Sequence, residues 1–115
     1  MKRAAAASAE ERYALIVTAF AERRDVEPPA AAGGRFGSNA LKLRGGIFAM
    51  LVRGEFVVRL PRERVDALVT SREGRHFATG GRVMREWIVA TEGDADRWRA
   101  LADEAYAAAR GRAAR

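Results

Sequence analysis

Cysteine is absent from the 115-residue chain, which excludes disulfides, thiol catalysis and cysteine-ligated zinc or iron–sulfur centres. Histidine is almost absent: His76 stands alone in a glycine-flanked stretch, with no second imidazole to complete a motif such as H-E-x-x-H. Ser8, Ser38 and Ser71 lie in no G-x-S-x-G context, so no nucleophile elbow is present. No apolar run approaches the roughly 20 residues of a membrane span. The basic start Met1-Lys2-Arg3 is met by Glu10 and Glu11 before any leucine-rich run, which argues against a secretory signal. These absences lead us to expect a cytoplasmic, non-enzymatic protein with no cofactor and no metal.

What is present is organised around residues 39–61. Leu41 and Leu43 alternate with Lys42 and Arg44, the period-two signature of a strand wet on one face. Gly45-Gly46 supplies a tight turn. Residues 47–52 are apolar on both faces, which predicts a central strand covered on two sides. Gly54-Glu55 turns the chain again. Phe56, Val58 and Leu60 then point one way, and Val57 and Arg59 the other.

The flanks read as helices. Ser8 and Glu11 have the spacing of a capping box, and Ala9, Tyr13, Ile16, Val17 and Phe20 follow as a stripe at helical period. Pro28-Pro29 and the glycines near residue 34 break that pattern, with Phe36 expected under the sheet edge and Arg35 exposed. Those glycines precede a strand, so they do not have the strand–loop–helix order of a phosphate-binding loop. Pro61 suits the first turn of a short second helix with Val65, Leu68 and Val69 on its apolar side. Residues 71–84 read as a loop and residues 86–91 as a fourth strand. Asp94 is placed to cap a last helix whose stripe is Trp98, Leu101, Ala102, Ala105 and Ala109. The whole is a single α+β domain over residues 1–115: an antiparallel sheet of about four strands flanked by N-terminal, middle and C-terminal helices. Residues 1–7 and 111–115 are expected to be flexible tails.

The formal net charge is +6, a balance that favours contact with nucleic acid or another anionic surface. Arg72, Arg75, Arg82 and Arg85 fall on or beside the glycine-bearing loop, with His76 and Phe77 between them. They are the candidate nucleic-acid residues, suited to phosphates rather than bases. Lys42, Arg44 and Arg59 would add a basic patch if they share a sheet face. The alternative is a homodimerising module, or one that binds a regulatory protein, through an open strand edge or sheet face.

Several short segments resemble the N-terminal domain of the TfoX/Sxy family: Arg35-Phe36-Gly37-Ser38, residues 46–50 (GIFAM), residues 55–60 (EFVVRL), residues 80–84 (GGRVM) and Trp87-Ile88-Val89. Ser38 stands where many relatives have glycine. The resemblance implies a fold similar to YjbR-like and secretion-chaperone-like proteins, no catalytic residues, and a regulatory role such as that linked to natural competence. The fuller members carry a second, helical C-terminal domain, which this chain is expected to lack.

Overall fold

The computed structural model describes residues 8–29, 39–90 and 94–114. The expectations for residues 1–7 and for Arg35, Phe36 and Ser38 lie outside them. The described chain is α+β, with three helices and one six-stranded antiparallel sheet.

Helix α1 (Ala9–Phe20) starts at the expected capping box: Glu11 N–H donates to Ser8 Oγ at 3.0 Å, and Ser8 N–H donates to Glu11 Oε1 at 2.9 Å. Strand β1 (Val26–Glu27) follows, then the meander β2 (Leu41–Leu43), β3 (Gly46–Val52) and β4 (Glu55–Arg59). Both meander turns place an arginine and a glycine at positive φ: Arg44 (51°) with Gly45 (86°), and Arg53 (51°) with Gly54 (80°). Turns of this hand match the twist of the strands they join. Helix α2 (Arg62–Thr70) leads into β5 (Gly74–Thr79) and β6 (Arg82–Ala90), and α3 (Ala95–Ala113) closes the fold.

The sheet order is β1-β2-β3-β4-β6-β5. It has six strands rather than about four, and the two extra strands have separate causes. Strand β1 is only two residues long, too short to show alternation. The supposed loop at residues 71–84 is most of a hairpin. Gly80 (φ 60°) and Gly81 (φ 78°) form its two-residue turn, Thr79 pairs with Arg82, and Phe77 pairs with Met84. Strand β5 reads GRHFAT, with Phe77 as its one large apolar side chain, so it carries no period-two signal.

All three helices pack on one face of the sheet. The buried core there joins Tyr13, Ile16 and Phe20 of α1, Val65 and Leu68 of α2, and Trp98, Leu101, Ala102, Ala105 and Ala109 of α3 to Phe56, Val58, Leu60 and Ile88. The α3 stripe is as read from the sequence. Its small residues allow close approach to the sheet, while Trp98 stacks on Phe56 with ring centroids 4.7 Å apart. A bulge adds to this core. Leu41 pairs with Ala49 but Lys42 pairs with Ile47, so Phe48 is the extra residue of β3. Phe48 and Ala49 therefore both face the helices. Phe48 meets Phe20 and Tyr106 at centroid distances of 6.1 and 5.9 Å.

The opposite face carries Met50, Val52, Val57, Phe77 and Val89, with Ile47, Met84 and Trp87 beside them. Central β3 thus has apolar side chains on both faces, as expected. No helix residue belongs to this second cluster among the described residues.

Candidate functional site

The topology sorts the arginines by sheet end. The Arg44-Gly45 turn lies at one end, with Arg59 at the close of β4. Strand β6 pairs with β4 through Arg59↔Trp87, Val58↔Ile88 and Val57↔Val89, and Leu60 N–H donates to the Glu86 carbonyl at 3.0 Å. Residues 82–85 therefore run past the last β4 partner, a reach of about 10 Å at strand rise. Arg82 and Arg85 ride on that projecting hairpin at the Arg44 end. Helix α3 runs the length of the sheet and finishes at this end too, where Ala109, Arg112 and Ala113 face Leu43, Arg44, Gly46 and Arg59.

The four candidate arginines are therefore not one cluster. Arg82 and Arg85 are exposed and form no ion pair among the described residues. Arg75 is committed to Glu55. Arg72 occupies the α2–β5 turn at positive φ (67°). The six residues of β5 separate it from the hairpin turn, about 20 Å of strand. Phe77 is buried in the second cluster and cannot stack on a base. His76 is half-buried, its Nε2 3.6 Å from Asp66 Oδ1 and without a hydrogen-bond partner among the described residues.

The feature that local sequence reading missed is a cleft of about 330 Å³ between the β2–β3 turn, the end of β4 and the last turns of α3. Arg44, Arg59 and Arg112 line it, and no carboxylate does among the described residues. A smaller hollow of about 90 Å³ adjoins it, lined by Asp25, Arg44 and Arg110 among others. Ion pairs orient two of the cleft arginines from outside. Arg59 donates from Nε and Nη2 to Glu86 Oε1 at 3.3 and 2.9 Å. Arg44 Nη2 donates to Asp25 Oδ2 at 3.2 Å. Arg110 and Arg112 sit in the last turn of α3, where the helix dipole favours cations. Arg44 and Arg59 were candidates for a shared patch, and the cleft joins them; Lys42 is not among its lining residues. Arg112 was expected in a flexible tail over residues 111–115, whereas α3 continues to Ala113. The alanine spacing from Ala105 through Ala109 to Ala113 is the signal that the helix runs on.

Among the described residues no group of carboxylates and histidine could hold a metal ion, and no helix is long and apolar enough to cross a membrane. The class defined by this geometry is an α+β protein with its helices on one face of an antiparallel sheet and a strongly basic sheet end. No family model, curated protein or solved structure matches the chain.

Proposed function

We propose that this chain is a non-enzymatic binding module that associates with nucleic acid through phosphate contacts from the Arg44 end of its sheet. The observation behind this reading is the gathering there of Arg44, Arg59, Arg82, Arg85 and Arg112 from three separate elements and a turn. Guanidinium groups suit phosphate because their planar donors engage two oxygens at once. Arg82 and Arg85, with no carboxylate partner among the described residues, retain their full charge for an incoming backbone. A two-stranded ribbon of this kind has the width to enter a duplex groove. Arg72 and Arg75 are peripheral to the contact. The TfoX-like segments of the sequence agree with a regulatory role in the cytoplasm. The same resemblance suggests a fold related to that family's N-terminal domain.

A second reading, homodimerisation, has one observation in its favour. Strand β5 is a sheet edge of six residues without proline, whereas the β1 edge is two residues followed by Pro28-Pro29.

Fluorescence anisotropy of a labelled duplex tests the first reading at about 50 and about 200 mM salt, where several phosphate contacts should lose affinity by orders of magnitude. The Arg82→Ala/Arg85→Ala variant should bind weakly and with a shallower salt slope, and Arg72→Ala/Arg75→Ala should bind nearly as the parent does. No binding by the parent at the lower salt, or equal losses in the two variants, would remove the hairpin from the reading.

A further inference from the structure

We infer that the cleft between the β2–β3 turn and the end of α3 is a binding site for a phosphate monoester; this rests on the proposed reading of this sheet end and shares Arg44, Arg59 and Arg112 with it, but does not use the hairpin arginines. Its volume, about 330 Å³, falls at the small end of the range for ligand pockets and suits one phosphate with a sugar-sized substituent. The walls combine three guanidinium groups from distant parts of the chain, Arg44, Arg59 and Arg112, with the small residues Gly46, Ala109 and Ala113. Gathering like charges in one concavity raises the local positive potential, and an anion relieves it.

The ion pairs at the rim offset part of this potential and fix the donors. Arg59 uses Nε and Nη2 on Glu86, which leaves Nη1 for a ligand. Arg44 uses only Nη2 on Asp25 and keeps Nε and Nη1. Guanidiniums already held by a partner lose less conformational freedom when a ligand arrives. Asp25 lies in the adjoining hollow and not on the main cleft, so its carboxylate bounds the site on that side. A monoester carries close to two negative charges near neutral pH, against one for each phosphodiester of a nucleic-acid backbone. A monoester therefore draws more from each remaining guanidinium donor than a phosphodiester does. Two sources share that chemistry: a free nucleotide-like metabolite and the terminal phosphate of a nucleic acid.

Isothermal titration calorimetry on the full chain tests this with four probes: inorganic phosphate, adenosine 5′-monophosphate, and a short oligonucleotide with and without a 5′-phosphate. The variants are Arg59→Gln, Arg112→Gln and Gly46→Leu. Gly46 is suited to a filling substitution because a Cβ there meets only the Leu43 carbonyl oxygen, at 3.6 Å, and its φ is not positive. Gly46→Leu occupies the cleft and leaves every charge in place. Removing one charge-assisted donor should weaken binding about tenfold, and Gly46→Leu should abolish it. The Arg82→Ala/Arg85→Ala hairpin variant should bind inorganic phosphate, the mononucleotide and the 5′-phosphorylated oligonucleotide at this site as the parent does. Binding of the mononucleotide assigns a free metabolite; binding of the phosphorylated oligonucleotide alone assigns a strand end. Either result supports the site. Binding that survives Gly46→Leu in a variant with parental circular dichroism overturns it. So does an absence of binding for inorganic phosphate and the mononucleotide together with equal binding of the two oligonucleotides, whatever the hairpin does with duplex.

Discussion

Replacing Gly74 by alanine isolates one steric contact. A Cβ built at this position lies 2.6 Å from Ile88 Cγ1, 2.8 Å from Ile88 Cδ1 and 2.9 Å from the Val89 carbonyl oxygen. The first two atoms belong to a side chain that is 1% exposed, and the third is backbone in a paired strand. Rotation of Ile88 can relieve part of the clash, but the carbonyl cannot move without disturbing the β5–β6 ladder. Overpacking of this kind costs about 1–3 kcal/mol. The lower entropy of the unfolded alanine chain offsets about 0.4–1 kcal/mol. A net loss of about 1–2 kcal/mol remains, roughly 5–10 °C in Tm for a domain of this size. The same substitution at Gly111 is the internal reference. That glycine is inside α3 with nothing within 4 Å of its Cβ position, so alanine there should add about 0.5–1 kcal/mol. Urea unfolding followed by tryptophan fluorescence gives both values. If Gly74→Ala proves as stable as the parent, the close packing of β5 on β6 is not what the contacts imply.

Three further outcomes follow from the core and the caps. Tyr13 donates to the Asn39 carbonyl, and burial holds its phenol well above the ordinary value, partly offset by a backbone hydrogen bond from Leu41. Its contribution is fully present below about pH 10 and declines above it by up to about 1.4 kcal/mol per pH unit, because only the unfolded chain releases the proton there. Tyr13→Phe should cost about 1 kcal/mol at neutral pH and flatten that alkaline decline, which unfolding at pH 7 and pH 11 would reveal; an unchanged slope would count against it. Phe56→Ala removes the ring stacked on Trp98 and packed near Tyr13 at 6.0 Å, and should cost about 3–5 kcal/mol by urea denaturation. Ser8→Ala breaks the α1 capping box and should cost about 1 kcal/mol, read from the shift of the urea midpoint.

The meander, the helix stripes and the faces of β6 were legible in the sequence because their signals are local. Leu41 with Leu43, Phe56 with Val58, and Ala105 with Ala109 each declare a period within a few residues. Strand β5 was not legible, for it owes its place to pairing with β6. His76 pairs with Ile88, yet the next residue, Phe77, pairs with Met84, so β6 carries three extra residues there. No alternation survives such an offset. Gly74 looked like a loop glycine and is a packing glycine. The basic residues were legible as types and not as a site. Nothing near Arg44 in sequence indicates that Arg59 and Arg112 will stand beside it, since helix α3 must first be laid along the sheet to bring them there.

The ladder between β4 and β6 has a consequence for how the molecule opens. Its three paired positions join residues 28–32 apart in sequence, the longest separations in the sheet. The meander on one side and the β5–β6 hairpin on the other are each closed by short turns. The chain is therefore two locally wound units joined along a brief seam, with α2 spanning it from one unit to the other. The buried core joins Phe56, Val58 and Leu60 to Ile88 across this seam, so the seam parts only when that core opens. Amide exchange at Val58 and Ile88 should therefore be slow and rise together with global unfolding, behind the amides of the short β1 edge.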